Sequence, residues 1–216
     1  MSENPVIPDT VVHLVRHGEV ENPRRVLYGR IPGFGLSDEG RVMAKAVADF
    51  LAGRDVIALR SSPLQRALET AGPLAAQFGL DVVVDGRLIE PWNHFEGMTF
   101  GVGDGSLRQP RHWRHLWNPV RPSWGEPYGE IAARMRAAMA DAAGAARGHE
   151  AVCVTHQLPI WVARRSVEGR RLWHDPRRRE CSLASVTSFS YHGDQVTAVS
   201  YGEPAGSAGR GQVGGA

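Results

Sequence analysis

Two histidines in this chain stand where apolar runs end. Val11-Val12-His13-Leu14-Val15 leads into Arg16-His17-Gly18-Glu19, and Ala151-Val152-Cys153-Val154-Thr155 leads into His156-Gln157. Runs of branched apolar residues suit strands buried on both faces, and an open α/β sheet binds its ligands just past the carboxyl ends of such strands. A third junction, Ser61-Ser62-Pro63-Leu64-Gln65-Arg66-Ala67, sets Arg66 in the first turn of a helix that follows another strand. If these junctions meet at one sheet edge, Arg16, His17, Arg66 and His156 surround a single point. A cluster so cationic repels itself unless it holds an anion. Phosphate fits, because guanidinium forks match its oxygens and helix N-termini add partial positive charge.

The elements that must position these residues follow from local pattern. Met1–Thr10 carries two prolines and no period, and reads as a flexible lead. Val11–Arg16 is the first strand, and Glu21–Gly35, with Pro23 and Pro32, is a long loop of the kind that is usually functional. Ser37 caps a helix whose Ala44, Val47, Ala48 and Leu51 share a face, with Gly53 as its stop. Asp55–Ser61 is a strand, and Ser62-Pro63 starts a helix with Pro63 in its first turn. Leu80–Val84 is a third strand, and Glu126–Arg147 and Leu158–Val167 are helices on either side of the strand Glu150–Thr155. Ala184–Ser190 and Gln195–Tyr201 flank His192-Gly193-Asp194 as a hairpin, and the Gly- and Ala-rich Glu203–Ala216 reads as a disordered tail. Strands alternating with helices predict an α/β fold, a three-layer α/β/α sandwich with a mainly parallel sheet and an antiparallel strand from the final hairpin. No repeat or linker divides the chain, so residues 11–202 are expected to form one domain.

Composition excludes several classes. The 216 residues are 42% hydrophobic and 22% charged, ordinary values for a globular protein. No apolar run of about 18 residues offers a membrane span, and the N-terminus lacks a secretory pattern. The net charge of +2 does not point to nucleic acid. Two cysteines, Cys153 and Cys181, are too few for a disulfide scaffold and read as reduced thiols of a cytoplasmic protein. The sequence leaves open a homodimer.

Taken together, the motifs resemble the histidine phosphatase family, the phosphoglycerate mutase-like enzymes, from about Val11 to Tyr201. Arg16-His17-Gly18 resembles the opening motif, Ser61 to Ala71 the second motif, and Val154-Thr155-His156-Gln157 the late one. Arg87-Leu88-Ile89-Glu90 resembles the segment that ends in the family's acid, and Glu96-Gly97 the pair that closes it. Pro91-Trp92-Asn93-His94-Phe95 departs from the family in lacking the glycine often found there. The resemblance implies a phosphoglycerate mutase-like fold and transient phosphorylation of His17. It makes Arg16 and Arg66 the phosphate arginines, His156 the second histidine and Glu90 the proton donor. Asn22 is the match for a phosphate-contacting asparagine, Tyr28-Gly29 for a loop giving backbone contacts, and Gln157 for a further substrate-binding position.

On that basis a neutral His17 attacks phosphorus, while Arg16, Arg66 and a protonated His156 balance the charge on the equatorial oxygens. Glu90, with a raised pKa, protonates the leaving alkoxide. The expected function is phosphomonoester hydrolysis of a small phosphorylated substrate, with no cofactor and no metal. The alternatives are a phosphoglycerate mutase-type phosphotransferase and a non-catalytic module that binds a phosphorylated ligand. The segment after Glu90 does not look like the mutase version.

Other signals compete with plainer explanations. Trp113, Trp117 and Trp124, interleaved with Arg108, Arg111, Arg114, Arg121, His112 and His115, read either as a substrate-covering lid within 91–127 or as a surface cap. Arg177-Arg178-Arg179, beside Arg170-Arg171, reads as a solvated face, with anion binding near the site as the alternative. Gly101-Val102-Gly103-Asp104-Gly105 lacks the strand and helix that a dinucleotide site needs.

Overall fold

The computed structural model describes residues 10–98 and 125–206. Among these residues, ten strands and α-helices follow in order: β1 (Thr10–Arg16), α1 (Asp38–Phe50), β2 (Val56–Ser61), α2 (Gln65–Phe78), β3 (Val83–Val84), α3 (Tyr128–Ala145), β4 (Glu150–Thr155), α4 (Gln157–Val167), β5 (Val186–His192) and β6 (Gln195–Gly202). The strands form one sheet in the order β3-β2-β4-β1-β5-β6. β3, β2, β4 and β1 pair in parallel, while β5 pairs antiparallel with both β1 and β6.

Side-chain alternation along the strands builds the layers. Val12 and Leu14 of β1, with Ala151 and Cys153 of β4, pack against Ile131, Met135 and Met139 of α3 and Ile160 and Val162 of α4. Val15, Val152 and Val154 point the other way, onto Met43 and Val47 of α1 and Ala67, Ala71 and Leu74 of α2. The three-layer α/β/α sandwich is therefore present, with a mixed sheet buried on both faces along β1 and β4. No helix among the described residues is long and apolar enough to cross a membrane.

Several boundaries differ from those read in the sequence. Thr10 already belongs to β1, and its hydroxyl accepts from Gly148 N at 2.8 Å. Pro63 precedes α2 instead of lying in its first turn; Leu64 is the cap residue, in extended conformation. The helix still begins in time to put Arg66 at its second position. β3 is only two residues long, Val83 and Val84 pairing with Arg60 and Ser61 at the end of β2. Glu203 does not begin a disordered tail, since its carboxylate accepts from the Ser182 and Tyr201 hydroxyls at 2.8 and 2.9 Å. The lead Met1–Asp9, most of the lid segment with its tryptophans, the Gly101–Gly105 run and residues 207–216 lie outside the described residues.

The cap of α1 also anchors the loop after β1. Ser37 Oγ accepts from Gly40 N at 3.0 Å and donates to Glu19 Oε2 at 2.8 Å, while Ser37 N donates to Glu19 O at 3.0 Å. Gly18 and Gly40 are required by this approach, because a Cβ on either would overlap a backbone carbonyl of the other segment.

Candidate active site

β1 and β4 are neighbours in parallel register, with Arg16 opposite Thr155, so the residues that follow them emerge side by side. His17 N donates to Thr155 O at 3.1 Å, and the rings of His17 and His156 lie 5.2 Å apart. That separation is close to the ~4.8 Å spacing of adjacent strands. β2 borders β4 on its other side, and Ser62 N donates to Val154 O at 2.9 Å. Ser62 Oγ thereby reaches His156 Nε2 at 2.8 Å. The three junctions do converge, and His17, His156, Arg16 and Arg66 are all buried.

Local bonds set the chemistry of each group. His17 Nδ1 lies 2.7 Å from the Gly18 carbonyl, which can only accept, so Nδ1 carries the proton and Nε2 the lone pair. Nε2 is buried with no hydrogen-bond partner among the described residues. Burial, reinforced by Arg66 and Arg16, holds the His17 pKa well below the ordinary histidine value. Gly18 N in turn donates to Thr70 Oγ1 at 3.1 Å, and Thr70 Oγ1 donates to Arg66 O at 2.7 Å. One buried hydroxyl thus links the His17 turn to the helix that carries Arg66.

The arginines are aimed by backbone carbonyls. Arg16 Nη1 donates to Cys181 O at 2.7 Å, and Arg66 Nη2 to Gly29 O at 2.7 Å. Each keeps a buried Nε with no partner among the described residues. Tyr28 packs its ring 4.6 Å under the Arg66 guanidinium and edge-on to His17 at 6.4 Å. Gly29 adopts φ +39°, and a Cβ there would strike the Glu96 carboxylate. This explains the Glu96-Gly97 pair: Glu96 Oε1 accepts from Asn93 N at 3.1 Å, and Gly97 N donates to Leu27 O at 2.8 Å. The segment after Glu90 is thereby stitched to the loop that holds Arg66.

The structure also brings the carboxyl of Glu90 to this site. The 3-10 turn Gly86–Leu88 precedes it, capped by Asp85, and Thr155 Oγ1 donates to Leu88 O at 2.6 Å. Arg30 Nε donates to the Glu90 carbonyl at 2.5 Å, and Glu126 ties Arg30 to Arg134. The Glu90 carboxylate is buried, with Oε2 3.7 Å from His156 Nδ1, and neither atom has a hydrogen-bond partner among the described residues. Burial raises the Glu90 pKa although Arg66, Arg179, Arg16 and Arg134 all pull it down. The protonated His156 expected from the sequence is not what this environment favours. Burial first, then Arg66 and the other cations, push its pKa well below the ordinary value, so the imidazole is neutral here.

The remaining expectations divide. Gln157 lies at the start of α4, its Nε2 donating to Cys181 O at 3.2 Å and its Oε1 accepting from Arg179 Nη1 at 3.2 Å. Asn22 does not join the cluster: Nδ2 donates to Val26 O at 2.8 Å and Oδ1 accepts from Val26 N at 3.1 Å. Both ends of its amide close the loop before Tyr28, and a phosphate contact from Asn22 would require that turn to open. The basic run splits as well. Arg177 and Arg178 are exposed, whereas Arg179 turns inward and lines a cleft of about 90 Å³ with Glu90 and Gly29. Ser62, Thr70 and Arg179 carried no individual signal in the sequence beyond the motifs around them. Their roles come from contacts made across long stretches of chain.

The pattern of the histidine phosphatase superfamily, branch 1, matches residues 12–204. The Mycobacterium tuberculosis protein Rv0525, itself of uncharacterised function, is 58% identical over 197 residues, covering 91% of this chain and 98% of that one. A probable phosphoglycerate mutase, GpmB of Escherichia fergusonii, is 28% identical over 187 residues, covering 81% of this chain and 83% of its own. The solved mycobacterial glucosyl-3-phosphoglycerate phosphatase Rv2419c superposes with a TM-score of 0.71 at 26% identity, covering 89% of this chain and 97% of that one. With a match running from β1 past β6 and a fold shared with a solved phosphatase, the chain belongs to the histidine phosphatase superfamily.

Proposed function

We propose that this protein is a phosphomonoester hydrolase that works through a phosphohistidine on His17 and needs no metal. Family membership and the solved phosphatase neighbours support an enzyme acting on phosphoesters. The observation that carries the finer reading is His17 itself: Nδ1–H is held on the Gly18 carbonyl, and the lone pair of Nε2 is left unpaired among two guanidinium groups.

In the first step His17 Nε2 bonds to phosphorus as the bond to the leaving oxygen breaks, and Glu90 gives that oxygen its proton. In the second, Glu90 takes a proton from water, which attacks phosphorus and releases inorganic phosphate and a neutral His17. Arg16 and Arg66 supply fixed positive charge where charge gathers in both transition states, the part that a metal ion plays elsewhere. A bound phosphoryl dianion would also raise the pKa of the neighbouring His156, so His156 takes its proton when substrate arrives. The substrate is a small phosphorylated molecule. Both cysteines are buried and unbridged, which fits a reducing compartment, and the cytoplasm is the proposed location.

Rapid quench with a radiolabelled phosphate donor tests the mechanism. An acid-labile phosphoenzyme is expected in the wild type and not in His17→Ala, with turnover insensitive to EDTA. Wild-type turnover in His17→Ala refutes it. The likeness to GpmB makes a mutase the second reading. Transfer between 2,3-bisphosphoglycerate and 3-phosphoglycerate faster than phosphate release would favour that reading.

A further inference from the structure

Arg179 is a third arginine at this site, and the transfer of PO₃ to His17 has no use for it. Its guanidinium is held at two points. Nε donates to His174 Nε2 at 2.9 Å, and Nη1 donates to Gln157 Oε1 at 3.2 Å. Both acceptors are themselves fixed. His174 Nδ1 donates to Leu172 O at 2.7 Å, which leaves the lone pair on Nε2, and burial keeps this ring neutral, with a pKa pushed down to about 4. Gln157 donates to the same Cys181 carbonyl that holds Arg16. Both acceptors are neutral, and no carboxylate of the described residues lies within ion-pair distance of the guanidinium. The two arginines next to it behave differently: Arg177 is exposed and paired with Asp175 at 2.8 Å, and Arg178 is exposed.

The guanidinium therefore stands oriented without an ion pair among the described residues, with Nη2 unbonded there and the Glu90 carboxyl, on which it pulls, as its acidic neighbour in the cleft. It lines the cleft together with Gly29, Glu90, Trp92, Tyr128 and Leu158. The cleft's lining includes neither His17 nor Arg66. In the reading proposed above Glu90 protonates the leaving oxygen, so the cleft beside Glu90 belongs to the leaving group. We propose that Arg179 selects substrates whose leaving group carries a second oxyanion, a carboxylate or a further phosphate. The chemistry is the same for both, a guanidinium fork on an anionic oxygen pair. This proposal rests on the phosphohydrolase reading for its placement of the leaving group.

Matched compounds test it. 3-Phosphoglycerate against glycerol 3-phosphate reads a carboxylate, and fructose 1,6-bisphosphate against fructose 6-phosphate reads a second phosphate. The wild type is expected to prefer the more anionic member of at least one pair in kcat/KM. Arg179→Gln should shrink that preference about tenfold to a hundredfold, the range of a charge-assisted hydrogen bond, and Arg179→Lys should recover part of it. Arg177→Gln, which alters an exposed residue outside the cleft, should leave the preference intact. A preference that survives in Arg179→Gln, or is absent from the wild type, overturns the proposal. Calorimetric binding of the same four compounds to His17→Ala, with and without Arg179→Gln, reads the same preference without turnover. Absent turnover of every compound by the wild type would defeat the hydrolase reading, while the binding arm would still decide the role of Arg179.

Discussion

Replacing Glu90 by Gln removes a proton and nearly preserves the shape. Glu90 is 4% exposed, and burial holds its carboxyl above the usual carboxylate range against four arginines. A carboxyl so held keeps its proton nearer to neutrality, which suits a general acid. Positioned proton transfer contributes about 10²–10⁴-fold, or roughly 3–5 kcal/mol of barrier. The loss should fall on alkyl phosphates, whose alkoxide must be protonated as its bond to phosphorus breaks. p-Nitrophenolate leaves without a proton, so Glu90→Gln should cost far less on p-nitrophenyl phosphate. The assay is kcat/KM, which reads the steps up to phosphorylation of His17 and not the later water step in which Glu90 is the base, for glycerol 3-phosphate and p-nitrophenyl phosphate across pH, in wild type and variant. The wild type should lose activity on the alkyl substrate as pH rises through the Glu90 titration, and the variant should lack that limb. Stability gives an independent sign. A carboxyl with a raised folded pKa contributes most below its unfolded pKa, and that contribution is lost as pH rises toward the folded value. Glu90→Gln is neutral throughout and should lack this decline in urea midpoint. Equal losses on the two substrates, or an alkaline limb retained in the variant, would refute the assignment of Glu90 as the acid.

Three further outcomes follow from contacts around the site. Thr70→Val leaves the buried Gly18 N–H without its acceptor and should destabilise the protein by about 1–3 kcal/mol, with kcat falling because Gly18 O orients His17; a urea midpoint equal to wild type contradicts this. Gly29→Ala forces a Cβ into φ +39° and against Glu96, and should cost about 1–3 kcal/mol and weaken the Arg66 anchor; unchanged stability and kcat/KM would show that the loop adapts freely. Asp85, held below the ordinary carboxylate value by its hydrogen bonds to Arg87, contributes stability that is present above its unfolded pKa and lost as pH falls through the lower folded one. Urea midpoints measured from about pH 5 to about pH 2 should fall more steeply in the wild type than in Asp85→Asn.

Much of this site was legible in the chain itself. A strand buried on both faces needs a largely apolar run, so Val11–Val15, interrupted only by His13, and Ala151–Val154 declare themselves, and the histidines that follow them mark the sheet edge. Ser37 and the spacing of Ala44, Val47, Ala48 and Leu51 declare α1 by capping and period. These are local signals, carried by residues a few positions apart, and they held. The two-residue β3, which pairs only with Arg60 and Ser61 of β2, and the start of α2 after an extended Leu64 differ from that local pattern.

Protonation and orientation depended on packing. Whether His156 is charged is set by its loss of water and by Arg66, which lies in another element and makes no contact that sequence spacing can show. The same holds for Arg179. Three consecutive arginines look alike in the chain, yet only the one that meets His174 and Gln157 turns inward. Asn22, a good match by position, spends its amide on its own loop. Element type comes from neighbours along the chain, whereas desolvation and the aim of a charged side chain come from neighbours in space. The sequence by itself therefore determined which residues could hold a phosphoryl group, and the tertiary structure decided their protonation and which further charge faces the cleft.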